Sequence, residues 1–197
     1  MKMIRLGFGL LAALLPAMAP AASGQDAVDP ATIDVRDAIE CRLDAPAYNA
    51  FALALNGEEK LAARRGWKPV KSANFLLAEY DLPTPIVVAG GYSTRRIAFT
   101  ASGVVAVLDL ADPSVVARPA QVENALAAEG LPRGAATFRK FLGERVLRDV
   151  TDPADGDHYR ARTVIARSVS NVATHPGKTL YGCSYKIEML DKDGNSL

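Results

Sequence analysis

The chain carries the stretch RRIAFTASGVVAVLDL from Arg95 to Leu110, and this stretch predicts a tight β-hairpin. Two runs of β-branched and apolar residues flank Ser102-Gly103, and a two-residue loop that contains glycine is typical of a primed turn. Both faces are apolar in the middle, so we expect the hairpin inside a sheet that is covered on at least one side. With this loop the facing pairs are Ala101 with Val104, Phe99 with Ala106, Ile97 with Leu108, and Arg96 with Asp109.

Other segments with strand character surround this hairpin and predict an α+β fold. Residues 74–80 and 85–89 precede it, and short connections between successive strands favour an antiparallel meander. Residues 144–150 predict a further strand. Residues 159–169 and 179–190 predict a long C-terminal hairpin around His175-Pro176-Gly177. In the last strand, one face carries Tyr181, Cys183, Tyr185, Ile187 and Met189, which alternate with polar residues and glycine. The meander and the C-terminal hairpin would form either one antiparallel sheet or two separate sheets.

Helical patterns are predicted on both sides of the meander, in the N-terminal and middle parts of the chain. Apolar residues recur at helical spacing over residues 34–43. Asp44 is a predicted N-cap with Pro46 in the first turn, and Asn56-Gly57 ends this second helix. Further helices are expected at 58–65, after Asp112-Pro113, at 119–129 and at 135–142.

The first 21 residues have the features of a cleaved bacterial-type secretory signal peptide. A short basic start is followed by an apolar run too short to cross a membrane, then by small residues up to Ala21. An uncleaved anchor is the alternative. We expect a flexible leader at 22–31, one globular domain at 32–190 and a polar tail at 191–197. No cysteine lies near the cut, so the periplasm is the expected location, with secretion second.

The mature chain would carry 21 basic and 22 acidic residues. This balance argues against nucleic-acid binding, which usually shows a basic excess. No second apolar span follows the signal, so no transmembrane segment is expected in the mature protein.

The two cysteines, Cys41 and Cys183, predict a structural disulfide. An even number of cysteines in an exported chain favours this pairing. They form no C-x-x-C motif, so a redox pair or a metal site is the less favoured alternative.

The catalytic motifs are weak. His175 precedes Pro-Gly, the natural centre of a type II turn. His158 follows Asp152, Asp155 and Asp157 in a loop that also contains Pro153 and Gly156, which favours an ordinary solvated loop over an acid–base or cation site. Ser93 lies in GGYST, which lacks the final glycine of a nucleophile elbow.

No metal site or cofactor is predicted. The C-terminal DKDGN resembles the start of a calcium loop, but the bidentate glutamate that such a loop needs does not follow. A frayed polar tail is the preferred interpretation.

A few side chains are candidates for contact with a ligand or partner. Trp67 is either a core residue or an exposed anchor. Glycines before the hairpin would show Tyr92 and Arg95 to solvent, and Arg160 and Arg162 alternate onto one face of a strand. Arginines there would suit an acidic group, since they form charge-assisted hydrogen bonds.

These features favour a periplasmic, non-catalytic module that binds an unknown protein or envelope component. Two alternatives stay open. One is an envelope hydrolase or transferase that uses scattered carboxylates such as Asp152, Asp155 and Asp157, because paired carboxylates need not be close in sequence. The other is a purely structural envelope protein.

Overall fold

A computed structural model describes residues 28–118, 139–151 and 159–191. Seven antiparallel strands form one sheet in the order β1-β2-β3-β4-β7-β6-β5. The strands are β1 Lys68–Val70, β2 Ala78–Val88, β3 Tyr92–Thr100, β4 Gly103–Leu108, β5 Arg139–Thr151, β6 Tyr159–Ser170 and β7 Thr179–Asp191. The helices are a 3₁₀ turn Pro30–Thr32, α1 Val35–Ile39, α2 Ala45–Asn56, α3 Leu61–Arg64 and α4 Ser114–Ala117. None of these described helices is long and apolar enough to cross a membrane.

The fold class is the expected one, an α+β antiparallel sheet packed against helices. The two predicted strand groups join in a single sheet, because β4 pairs with β7 along six residue pairs. The central meander and the C-terminal hairpin are therefore continuous. The predicted signal peptide, most of the leader, the helix at 119–129 and the polar tail beyond residue 191 lie outside the described residues.

The helices cover one face of the sheet, which we call the helical face. Phe51, Trp67 and Phe99 pack there in the main hydrophobic core, with Ile39 and Ile97 fully buried. The opposite face, which we call the open face, carries a small apolar cluster of Ala98, Val107 and Leu180, with Leu77, Val105 and Val172 packed against it. The sheet is thus covered unequally.

The predicted hairpin exists, but its register was wrong by two residues. Thr100 pairs with Gly103 and Ile97 with Ala106, so the loop is Ala101-Ser102. A shift of two keeps every side chain on its predicted face. Arg96 does not reach Asp109 and instead contacts Glu79.

Gly103 is therefore the first residue of β4. Its φ is not in the left-handed region, so its backbone conformation does not require glycine. Glycine is required instead by the close approach of β7, because a Cβ at this position would lie 2.3 Å from the carbonyl oxygen of Cys183. In addition, the Tyr185 N–H donates to the Ser102 carbonyl at 2.6 Å. Packing against β7 sets the register.

Two other predictions of secondary structure need correction. The strands expected at 74–80 and 85–89 merge into one long strand, β2, which begins only at Ala78 and whose register shifts between Asp81 and Ile86; residues 74–77 form a turn instead. Residues 139–142, expected to end a helix, lie in β5, which also contains the predicted strand 144–150. Their apolar spacing suits either structure, and pairing with β6 decides for the strand.

The N-terminal helices begin where their caps predict. The Asp44 side chain accepts a hydrogen bond from the Ala47 N–H at 2.8 Å, and Gly57 ends α2. Asp34 caps α1 in the same way, but α1 ends at Ile39 rather than near residue 43. Cys41 follows with φ 56°, in the left-handed region.

The predicted disulfide is confirmed. Cys41 and Cys183 are bonded, with their Cα atoms 5.3 Å apart. Three hydrogen bonds join the same two parts of the chain. Tyr185 donates to the Ala38 carbonyl, Tyr181 to the Glu40 carboxylate and Arg167 to the Glu40 carbonyl, each at 2.7 Å. Together they dock the end of α1 on β6 and β7.

Candidate functional site

Two segments cross the middle of the open face. Leu77, which precedes β2, and Val172, which follows β6, both pack on the small apolar cluster. A cavity lies on each side of this crossing. We call them the polar cleft, of about 680 Å³, and the hydroxyl cavity, of about 610 Å³. Cavities of this size are typical of small-molecule sites.

A buried carboxylate forms the floor of the polar cleft. Glu79 lies on β2, and its side chain is only 3% exposed. His175 Nε2 is 2.9 Å from one carboxylate oxygen, and the Arg96 Nη1 donates to the other at 3.2 Å. Ser72 provides a further hydrogen bond. A buried charge is costly unless it is paired and hydrogen-bonded, and Glu79 is both.

These partners keep Glu79 ionised. Burial raises the pKa of its carboxyl group, but the hydrogen bonds from Ser72, His175 and Arg96 outweigh burial and hold the pKa below its ordinary value. Glu79 therefore connects three separate segments of the chain: the connection before β2, the strand β3 and the turn before β7.

His175 has no ring nitrogen left for a substrate. Its Nδ1 is 3.1 Å from the Thr174 hydroxyl, and its Nε2 contacts Glu79. A general base must be within hydrogen-bond reach of the proton that it takes. Ser93 also lines the cleft, but it hydrogen-bonds no basic group among the described residues. The arrangement is suited to binding and positioning charged groups.

The predicted turn at His175 is confirmed. The Lys178 N–H donates to the His175 carbonyl at 3.1 Å, with Pro176-Gly177 between them and φ 71° at Gly177. The turn is compatible with the buried contact to Glu79, because it places the imidazole of His175 over the open face.

Charged groups of both signs line the walls of the polar cleft. Lys178 and Asp109 form an ion pair at one side. Arg95 is exposed and donates from Nε to the Leu82 carbonyl at 2.8 Å. Asp81 is half-buried and lies directly opposite Arg96 in the β2–β3 ladder. The Thr94 hydroxyl accepts from the Arg96 N–H and donates to the Val107 carbonyl, which fixes the strand beside the cleft.

The hydroxyl cavity has a different lining. Ser168, Ser170 and Ser184 stand along β6 and β7 beside Val105 and Leu180. Phe75, next in sequence to the lining residues Asn74 and Leu76, is 94% exposed, the highest value among the large apolar residues of the described chain. The cavity presents alternating hydroxyl and aliphatic groups.

The structure places the candidate contact residues in several locations. Trp67 is buried in the core, where the Arg65 guanidinium lies 5.5 Å from its ring centre. Tyr92 is half-buried and packs against the same core. Arg95 lines the polar cleft. These residues do not form one group.

The two candidate arginines of β6 are Arg160 and Arg162. Arg162 forms an ion pair with Glu188 at 2.6 Å, and Lys186 contacts the same carboxylate at 3.0 Å. Glu188 and Lys186 also line the hydroxyl cavity, so this charged network borders it. Arg160 pairs through its backbone with Leu190.

The remaining sequence candidates were His158 with Asp152, Asp155 and Asp157, and the DKDGN tail. All except the first residue of the tail, Asp191, lie outside the described residues. Within the described ranges, no group of three or more histidine, cysteine and acidic residues could hold a metal ion.

Glu79 and Arg96 belong to no recognisable sequence motif. One signal was available, since Glu79 is a charged residue inside the largely apolar segment FLLAEYDL. A charge in such a strand needs a partner. The partner His175 is 96 positions away, and no spacing rule connects the two.

No protein family, curated protein or solved structure matches this chain.

We expect a Glu79→Gln variant to lose stability mainly near neutral pH. The folded pKa of Glu79 is lowered, so its charge stabilises the fold above the unfolded value of about 4.3. This stabilisation is lost as the pH falls through the folded pKa. The substitution should lower the free energy of unfolding by roughly 1–3 kcal/mol at pH 7. The difference in this free energy between the variant and the wild type should become smaller below about pH 4.

Urea denaturation at pH 7, 5 and 3.5 measures this difference. Glu58→Gln, at an exposed position, is the matched control and should leave the free energy of unfolding unchanged at each pH. A Glu79→Gln deficit that stays constant from pH 7 to pH 3.5 would contradict a charge-based role.

Proposed function

We propose that this protein is an exported, non-catalytic binding module whose ligand occupies the open face of the sheet. The observation that carries the proposal is the unequal covering of the sheet. Helices and the disulfide close one face, whereas the other has two cavities of about 680 and 610 Å³. Exposed concave surface with converging polar groups is the usual form of a ligand site.

The charges of the polar cleft support binding over chemistry. His175 and Arg96 each contact a different oxygen of the Glu79 carboxylate, so Glu79 holds both side chains in place. Binding sites gain affinity from such preorganised groups, because less conformational entropy is lost when the ligand arrives. A carboxylate that accepts several hydrogen bonds is poorly placed to take a proton.

The disulfide supports export to an oxidising compartment. Structural disulfides persist in the periplasm and outside the cell and are rare in the cytosol. Together with the signal-like first 21 residues, the Cys41–Cys183 bond favours the periplasm, with secretion as the second choice. There the module would meet envelope components or solutes.

A fragment screen tests the site. We expect mixtures of amino acids, dipeptides, sugars and sugar acids to shift amide resonances around the polar cleft or the hydroxyl cavity in ¹H–¹⁵N spectra. A Ser168→Tyr variant, which fills part of the hydroxyl cavity, should weaken the binding of any compound that occupies it. Leu53→Tyr, at a 76% exposed position on the helical side, is the control.

Shifts confined to the helical face, or no shifts with any compound class at millimolar concentration, would contradict the proposal.

A further inference from the structure

We propose that the polar cleft binds a small zwitterion, an amino acid or a dipeptide, with its carboxylate at Arg96 and its ammonium group at Asp81. This inference rests on the proposed function and names the chemistry of its ligand. It is carried by two groups of opposite charge that face the cleft side by side.

The Arg96 guanidinium has donors left over. Its Nη1 contacts Glu79 at 3.2 Å, and Nη2 makes no hydrogen bond to any described residue. Its side chain is 37% exposed and lines the cleft, whereas its Nε is buried without a partner in the described part of the chain. Guanidinium groups bind carboxylates through two parallel N–H donors and are preferred where such recognition matters.

Asp81 supplies the complementary charge. It is the direct cross-strand partner of Arg96, and cross-strand partners have Cβ atoms about 5 Å apart. Such a pair would ordinarily form its own salt bridge. Glu79 engages Arg96 instead, and Asp81 forms no ion pair or hydrogen bond with the described residues. A half-buried carboxylate with this environment suits an ammonium group.

Two other pairs of charged groups in the cleft are already formed, Lys178 with Asp109 and His175 with Glu79. Arg95 adds a second positive charge at the wall and favours a ligand that carries a carboxylate. The Asp81 carboxylate therefore remains to accept from an ammonium group, and Arg96 and Arg95 remain to donate to a carboxylate. Asp81 and Arg96 are directly paired on neighbouring strands, a short spacing that suits the two charged ends of an amino acid or a dipeptide. The cleft volume of about 680 Å³ leaves room for the side chains.

The test uses the full-length mature protein with a mixture of the twenty amino acids, then alanine and alanyl-alanine alone, each beside its N-acetyl and C-terminal amide form. We expect binding by ¹H–¹⁵N titration for the unblocked compounds. Blocking either end should weaken it at least tenfold, because each block removes one charge. Acetate should bind far more weakly than the zwitterions.

The matched variants are Asp81→Asn and Asp109→Asn. Asp81 has no hydrogen-bond or ion-pair partner among the described residues, so its variant should fold normally. It should lose at least tenfold in affinity for the unblocked ligand, with no change for the N-acetyl form. Asp109→Asn, in the same cleft, should change little. An Arg96 variant is not used, because it would leave the buried Glu79 carboxylate without one of its hydrogen-bond donors.

Equal binding of blocked and unblocked compounds, or wild-type affinity in Asp81→Asn, would overturn the assignment. If sugars or other classes shift the open face and zwitterions do not, the inference fails and the binding function stands. If nothing shifts the open face, both fail.

Discussion

Replacement of both cysteines by serine should lower the free energy of unfolding by roughly 2–5 kcal/mol, the usual range for loss of a native disulfide. The bond joins residues 142 positions apart. In the chain-entropy model a loop of that length contributes about 5 kcal/mol, because the cross-link restricts the unfolded chain. Domains of this size shift by about 2–4 °C per kcal/mol, so the melting temperature should fall by roughly 4–20 °C.

The hydrogen bonds around the disulfide should keep the double serine variant folded. Tyr185, Tyr181 and Arg167 all bind the last turn of α1 or the residue after it, independently of the sulfur atoms. We therefore expect the double serine variant to keep the native fold at 20 °C. Its ¹H–¹⁵N spectrum should change mainly near residues 38–42 and 181–185.

Calorimetry of the wild type, the reduced wild type and the double serine variant measures the effect. The last two should melt at similar temperatures, well below the first. A variant that melts within about 1 °C of the oxidised wild type would show that the bond does not restrain the unfolded chain, contrary to the entropy model.

The second large loss of stability is expected from a substitution at Gly182, in the part of β7 that pairs with β4. A Cβ on this residue would lie 2.1 Å from the Val104 carbonyl oxygen and 2.6 Å from the Val105 Cα. Both atoms belong to the backbone of β4, so no side-chain rotation can relieve the contact. Separating β4 from β7 would break the junction between the two halves of the sheet. We expect Gly182→Ala to cost about 3 kcal/mol or more, at the upper end for overpacking.

Gly103→Ala should also lower the free energy of unfolding, because its Cβ would lie 2.3 Å from the Cys183 carbonyl oxygen. The control is Gly91→Ala, since no atom lies within 4 Å of a Cβ at Gly91 and its φ is not in the left-handed region. That variant should be neutral or slightly stabilising. Urea midpoints for the three variants make the comparison. Equal midpoints for Gly182→Ala and Gly91→Ala would mean that β4 and β7 do not approach as closely as described.

Local patterns in the sequence determined the elements whose structure depends on near neighbours. Asp44 and Gly57 set the ends of α2, because caps act over three or four residues. The alternation in β7 assigned the buried face correctly for Tyr181, Cys183 and Tyr185, but not for Ile187 and Met189, which are exposed. The disulfide followed from having only two cysteines in a chain whose sequence predicts export. The turn at Pro176-Gly177 followed from the conformational preferences of those two residues.

Contacts between distant residues decided the rest. The hairpin loop lies at Ala101-Ser102 because Gly103 must pass close to β7, and no pattern within residues 95–110 reports that approach. Residues 139–142 join a strand because β6 offers a partner, although their apolar spacing suits a helix equally well. The polar cleft depends on a turn that brings His175 to Glu79 across 96 positions. A sequence shows which residues need partners, and only the folded sheet selects them, because burial and charge pairing act through space.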